Sequence, residues 1–249
     1  MNLFLSHIHE ELRRARLTRR GATDKAEDVP RGIHKRYDRM PHIALPTPVR
    51  LATTLADTLH KRRSADSGDP EIPVSLSEIG TLFGLALGKR ANGSRNYPSG
   101  GALYPIETYL ISTALESETP GVFHYNPTEH ALERLLDLPD HFDMKSIARH
   151  PESLPLSSLI VFTSLWHRSS AKYGDLTYQH ALIEAGHMSE NILLVACALG
   201  LGVRPYAGFE DDRIAELLDL EEGSEQTVHT ITLCKGVSDA TNAEAVFEN

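Results

Sequence analysis

The stretch from about Thr177 to Leu199 limits the fold of this chain more than any other. Its second half, Ile192-Leu193-Leu194-Val195-Ala196, is apolar nearly all round and leaves no face for water. A helix of that kind must be covered from several directions. The spacing therefore predicts a long helix over 177–199, buried in a core or in a subunit interface. Gly200-Leu201-Gly202 follows as its terminator, because glycine takes the left-handed conformation that closes a helix. A chain of 249 residues is long enough to bury a sizeable core around such an element.

Residues 1–48 read as an N-terminal arm, a charged helical stretch through Glu10, Glu11, Arg13 and Arg14 and then a polar segment reaching Pro41 and Pro46. A helix is expected from Thr47, with Leu51, Leu55 and Leu59 at i, i+4 and i+8, running into Lys61-Arg62-Arg63-Ser64. Ser75-Leu76-Ser77-Glu78 is a capping-box pattern, in which serine and glutamate satisfy the first free amides, and it predicts a second helix to about Leu87. A loop rich in Gly, Asn, Ser and Pro spans 88–101. Strands are expected at 107–113, 122–125 and 131–135, with Asn126-Pro127 as the turn signal between the last two. Residues 140–149 read as helix, 159–165 as a buried strand, 211–218 as helix and 228–233 as a closing strand. Helices and strands mix without regular βαβ alternation, so the fold class is α+β. The main domain is expected over 49–238, with a tail at 239–249.

Composition narrows the partners. A formal net charge of -9 at pH 7, with only short basic clusters, argues against nucleic acid. There is no G-x-G-x-x-G after a strand and no G-x-x-x-x-G-K-[ST], which removes the Rossmann and P-loop readings. No run approaches the ~20 apolar residues that span a bilayer, and the opening Met1–His7 is too brief for a signal-peptide core. Cys197 and Cys234 make no disulfide framework and read as buried free thiols. A cytoplasmic protein without a membrane or nucleic-acid partner is expected.

Four short segments carry candidate chemistry. Arg62-Arg63-Ser64 at a helix end offers two guanidinium groups and a hydroxyl to a phosphate, or else simply complements the helix dipole. Pro98-Ser99-Gly100-Gly101-Ala102-Leu103-Tyr104-Pro105-Ile106-Glu107 has small residues that let backbone approach a flat ligand, or form a plain surface turn. Arg204-Pro205-Tyr206-Ala207-Gly208-Phe209-Glu210 is an extended stretch after the long helix, or a connector. Lys172-Tyr173-Gly174, taken alone, reads as a solvated pair. His180, Glu184 and His187 fall at i, i+4 and i+7 and would present three zinc ligands on one helical face, with His167 nearby in sequence. Among 13 histidines such a coincidence is expected, so no metal is assigned.

The order and wording of these segments resemble the nitroreductase superfamily, in particular its azoline-oxidase branch, the SagB-type dehydrogenases of thiazole/oxazole-modified peptide biosynthesis. The residues that carry the resemblance are Lys35-Arg36-Tyr37, Ile43-Ala44-Leu45-Pro46, Arg62-Arg63-Ser64 and Pro98 to Glu107. Further along they are Gly121-Val122-Phe123-His124-Tyr125-Asn126-Pro127, Lys172-Tyr173-Gly174, Glu184-Ala185-Gly186-His187, Asn191 and Ala198-Leu199-Gly200-Leu201-Gly202. The resemblance runs from about residue 30 to 236.

It implies a central, mostly antiparallel sheet flanked by helices, and a homodimer that binds FMN at an interface containing the long helix. Arg62 and Ser64, with Arg63 beside them, match residues that hold the FMN phosphate, ribityl chain and pyrimidine edge. Pro98, Ser99 and Gly100, with Ala102 in the same segment, match the stretch that lies against the isoalloxazine of the partner subunit. Ala207 and Gly208 match backbone amides that face flavin N5 and O4. Lys172 and Tyr173 match the pair associated with catalysis in the azoline oxidases. Aromatising an azoline removes one proton and one hydride, so Tyr173 is expected to accept the proton and Lys172 to tune it, with the roles open to exchange. The chain departs from the pattern at Asp66, where a second basic residue is common, and Lys235 is the late candidate to compensate. Gln179, Glu190 and Gly100 are further departures. The readings that compete with azoline oxidation are a general NAD(P)H-dependent nitro- or quinone reductase and a non-catalytic subunit of a peptide-modifying complex. A cyclodehydratase is the partner that the resemblance suggests.

Overall fold

The computed structural model describes residues 3–18, 33–149 and 156–236. Alternation along two strands shows why the chain builds layers on both sides of a sheet. In β2 (Ile106–Ser112), Ile106 and Leu110 enter one apolar cluster while Tyr109 and Ile111 enter another. In β5 (Ser158–Leu165), Ile160 and Phe162 face the first cluster and Leu159 and Val161 the second. Both strands are buried from end to end, which requires cover on two faces.

The remaining strands are β1 (His42–Ala44), β3 (Gly121–Asn126), β4 (Ala131–Asp137), β6 (Gly202–Tyr206) and β7 (Glu225–Cys234). Together they form a seven-stranded sheet of order β1-β4-β3-β2-β5-β7-β6. Every neighbouring pair is antiparallel. One face carries α3 (Leu76–Leu87) and α5 (Leu176–Leu199). The other carries α6 (Asp211–Leu218) and a single 3-10 turn at Met144–Ile147.

The capping box at Ser75 and Glu78 closes as expected, each side chain bonding the other's backbone amide. α5 ends at Gly200, left-handed at φ 72, whose N–H bonds the carbonyls of Ala196 and Cys197. Ala181, Ala185, Met188, Ile192, Leu193 and Ala196 line its buried face. The opposite face leaves Tyr178, Leu182 and Ile183 exposed, so within one chain the helix is covered on one side only. By length and composition α5 is apolar enough to cross a membrane, against the expectation that no run approached that limit. Its packing against α3, β6 and β7 accounts for that apolarity.

Two expected helices contract. The one placed from Thr47 is α2 (Leu55–Lys61) alone, capped by Thr54. Leu55 and Leu59 point outward at 67% and 56% exposure, so the leucine spacing did not mark a core face. The one at 140–149 is only the 3-10 turn, because burying Met144 and Ile147 under the sheet needs no more. α1 (Leu3–Thr18) rests on α5, where Arg16 donates to Gln179 at 2.9 Å. Residues 33–48 lie along the sheet: β1 pairs with β4, and the Lys35 ammonium donates to Glu225 at 2.7 Å and to the Tyr109 hydroxyl at 3.1 Å. Residues 19–32 and the expected tail at 239–249 fall outside the described residues.

Candidate active site

The loop leading into β2 takes an unusual path. Gly101, Ala102 and Tyr104 all have left-handed backbone, at φ 66, 56 and 49. A side chain in that region costs about 1–2 kcal/mol, and such residues gather where a site over-determines its backbone. Three bonds hold the turn. The Ser99 hydroxyl accepts from Tyr104 N–H at 2.9 Å, the Tyr104 hydroxyl accepts from Arg95 N–H at 3.1 Å, and Arg168 donates to the Tyr104 carbonyl at 3.0 Å.

Arg168 belongs to α4 (His167–Tyr173), the short helix that ends in Lys172-Tyr173. Its guanidinium also grips the Glu107 carboxylate at 2.5 Å, tying α4 to β2 and to the loop together. The result brings the sequence candidates into one cluster. A Cβ on Gly101 would stand 2.8 Å from the Tyr173 hydroxyl and 2.9 Å from the Lys172 nitrogen. A Cβ on Gly100 would lie 3.5 Å from both the Tyr173 ring and His180 Nδ1. The Tyr173 ring meets His180 edge-on at 4.5 Å between centroids, and the Lys172 ammonium sits 5.5 Å from the Tyr173 ring centre.

Behind this cluster lies a buried ionic chain that sequence reasoning missed. Glu107 accepts from Lys35 N–H at 2.5 Å and pairs with His124 Nε2 at 3.0 Å. His124 Nδ1 reaches Glu133 at 2.7 Å, and Asn126 donates to the other Glu133 oxygen at 2.9 Å. Burial pushes Glu107 upward, but the bond and charge of His124, with Arg168 and Arg95, outweigh it and hold the carboxyl at about 2. Burial likewise works against charge on His124, and its two carboxylate partners overcome it, so its proton affinity is raised. The available signal was a glutamate inside the strand-like, largely apolar run Ile106–Ile111.

The other candidates form a second group along the edge strand β6. Ala65 N–H donates to the Val203 carbonyl at 2.9 Å, which lays the segment after α2 beside β6. Arg62 is half-buried and Ser64 exposed. Arg63 turns back onto the carbonyls of His60 and Arg62, both at 2.8 Å, in the manner of a helix-end cation. Asp66 pairs with Arg204, and Lys235 pairs with Glu78 at 2.9 Å. Among the described residues no acidic side chain pairs with Arg62 or Arg63. Ala207 and Gly208 follow β6, held where Arg149 N–H donates to the Gly208 carbonyl at 2.7 Å and Glu210 N–H to Ile147 at 3.1 Å.

The three residues weighed as zinc ligands diverge: Glu184 is buried, His180 half-buried and His187 exposed. Among the described residues no group of three His, Cys, Asp or Glu side chains is placed to hold a metal ion.

Comparison with known proteins agrees with the fold. Residues 59–235 match the model of the nitroreductase family. A nitroreductase-like protein of Methanocaldococcus jannaschii is 29% identical over 170 residues, covering 68% of this chain and 85% of the relative. The microcin B17-processing protein McbC of Escherichia coli is 34% identical over 157 residues, covering 60% of this chain and 58% of McbC. Among solved structures, the E. coli microcin synthetase McbBCD complex with truncated pro-MccB17 matches at TM-score 0.63 and 27% identity, over 77% of each chain. A nitroreductase of Exiguobacterium sibiricum in complex with FMN shares the fold at TM-score 0.53 and 16% identity, over 79% of this chain and 95% of that one. The antiparallel sheet between α3–α5 and α6, the loop crossing onto Lys172-Tyr173 and the family match lead to one conclusion: this chain belongs to the nitroreductase family.

Proposed function

We propose that this chain is an FMN-dependent oxidoreductase that oxidises peptide thiazolines or oxazolines to thiazoles or oxazoles. The observation that carries the reading is the convergence of the Tyr173 hydroxyl and the Lys172 ammonium on Gly101, within the loop that the family resemblance assigns to the flavin ring. A general reductase needs no such pair. The likeness to McbC and to a chain of the McbBCD complex supports the same substrate class.

The residues fit the cofactor. The loop at Gly100 and Gly101 has no side chain where a planar ring would press, and a Cβ at Gly101 would collide with the catalytic candidates. Arg62 has no acidic partner among the described residues and lies beside exposed Ser64, so the two would hold the phosphate end. Ala207 and Gly208 would face the ring edge, and Pro98, Ser99 and Ala102 would shape its other wall. Bound FMN supplies the hydride acceptor; the protein supplies orientation and electrostatics.

Tyr173 takes the proton that leaves the azoline ring. Its ring packs edge-on against the His180 ring, and its hydroxyl lies over the left-handed turn at Gly101. Lys172 brings its ammonium to the same turn at Gly101, where it would steady the negative charge that develops as the proton is taken. Arg168, anchored on Glu107 and Tyr104, keeps the pair over the loop.

Exposed Tyr178, Leu182 and Ile183 on α5, with Leu55 and Leu59 on α2, support a homodimer in which a second copy covers this apolar surface. Within one chain the Arg62–Gly208 group and the Ser99–Tyr173 group would then complete two sites across the interface. A cyclodehydratase is the further partner that the McbBCD likeness supports.

The test is the visible spectrum of the purified protein, followed anaerobically. Flavin bleached by an azoline peptide and not by NADPH supports the oxidase. Bleaching by NADPH alone moves the assignment to a general reductase, the reading favoured by the long match to the Methanocaldococcus protein.

A further inference from the structure

Glu184 is 1% exposed on the inner face of α5, with no hydrogen bond of full geometry to either carboxyl oxygen; the Ser99 hydroxyl lies near enough to act on it as a donor. An ionised carboxylate in that position would be both desolvated and unpaired, and such a group keeps its proton instead. The groups that face it come from the two elements already described. From the loop come Arg95, Tyr97 and the Ser99 hydroxyl; from α4 comes Arg168. On its own helix His180 lies one turn before it and exposed His187 one turn after.

Neither cation neutralises it. Arg168 is taken up by Glu107 and the Tyr104 carbonyl, and the Arg95 guanidinium lies over the Tyr104 ring at 5.1 Å. Burial therefore pushes the Glu184 carboxyl up to about 8, outweighing the opposing pulls of the Ser99 hydroxyl and the Arg95 and Arg168 charges. Ser99 is the link outward. Its oxygen already accepts from Tyr104 N–H, so its own proton is the movable part, and it sits in the loop that the flavin reading places against the ring.

We propose that Glu184 is a proton-carrying positioning residue: its neutral carboxyl keeps Ser99 and the Pro98–Gly101 loop in the form that accepts the flavin, and its ionisation releases them. This rests on the flavin reading above. Once ionised, the carboxylate draws the Ser99 hydroxyl or water toward itself, and the turn pinned through Ser99 and Tyr104 loosens. The new negative charge also stands behind the wall on which an electron-rich ring must lie.

The experiment is FMN affinity, read by flavin fluorescence, between about pH 6 and about pH 10. If only the neutral-Glu184 fraction binds, Kd stays level to about pH 8 and then rises about tenfold per pH unit. Glu184→Gln fixes the neutral form and gives a level profile throughout. A level wild-type profile, or the same rise in Glu184→Gln, overturns the proposal. Should the variant not fold, the wild-type infrared spectrum decides: a protonated-carboxyl band persisting at neutral pH and titrating near pH 8 is required, and its absence overturns the proposal. FMN binding without the pH step sinks this proposal alone; no FMN binding at any pH, with the carboxyl band present, sinks the flavin reading and the loop role with it.

Discussion

A Cβ atom on Gly101 would stand 2.8 Å from the Tyr173 hydroxyl, closer than any real side-chain carbon approaches a neighbour. The glycine is also left-handed, at φ 66. Gly101→Ala therefore meets two penalties of different kinds. The backbone term lowers stability by about 1 kcal/mol. The steric term is relieved by swinging the ends of Tyr173 and Lys172 aside, which disturbs the proposed chemistry more than the fold. Turnover of an azoline peptide is expected to fall by about 100-fold, with a small drop in thermal midpoint. A variant with unchanged turnover would remove Gly101 from the site.

Tyr173→Phe and Lys172→Ala separate proton transfer from cofactor binding. Neither side chain belongs to the Arg62–Gly208 group assigned to the phosphate and ring edge. Both variants should keep a flavin spectrum while anaerobic bleaching by substrate slows by about 10²–10⁴-fold for the tyrosine. Loss of flavin in either variant, at unchanged stability, would show that the pair serves binding instead.

Arg168 binds the loop at the Tyr104 carbonyl and fixes where α4 presents the pair. Arg168→Lys keeps the charge and one contact but cannot grip Glu107 and the Tyr104 carbonyl together. The expected result is a fall in kcat of about tenfold or more with KM little changed. Arg168→Met should instead destabilise the whole domain, by about 3–5 kcal/mol, because Glu107 loses one of its two buried cations. Equal effects of the two substitutions on urea midpoint would contradict the positioning role.

What could be read in advance was local. The capping box at Ser75, the stop at Gly200 and the turn after Asn126 depend on neighbours in sequence, and each stands where it was expected. The leucines at 51, 55 and 59 misled because spacing shows a stripe but not which way it faces: Leu51 precedes the helix, and Leu55 and Leu59 face outward. Lys172-Tyr173 looked like a solvated pair because the partner that gives it meaning, Gly101, lies about 70 residues away in sequence and meets it only in the folded chain. Glu184 was read as a possible metal ligand from helical spacing alone. Its seclusion behind Ser99 follows from tertiary packing that no periodicity encodes.

The chain from Glu107 through His124 to Glu133 sets a pH window for stability. His124 binds its proton more tightly folded than unfolded, from an ordinary value of 6.5. Its contribution is thus complete below that value and is lost as pH climbs through the raised one. Glu107 moves the other way, from 4.5 down to about 2, so its contribution is complete above 4.5 and is lost as pH falls toward 2. The cluster is therefore strongest between those limits. His124→Gln leaves Glu133 without its buried cation and Glu107 with Arg168 alone, and should lower stability near pH 6 by about 3–5 kcal/mol. Urea unfolding of wild type and variant across pH isolates this share, since the difference cancels other titrating groups, Glu184 among them. The gap between the two proteins should narrow as pH rises past the raised His124 value. A constant gap from about pH 5 to about pH 9 would mean that His124 is not the buried cation that binds β2, β3 and β4 together.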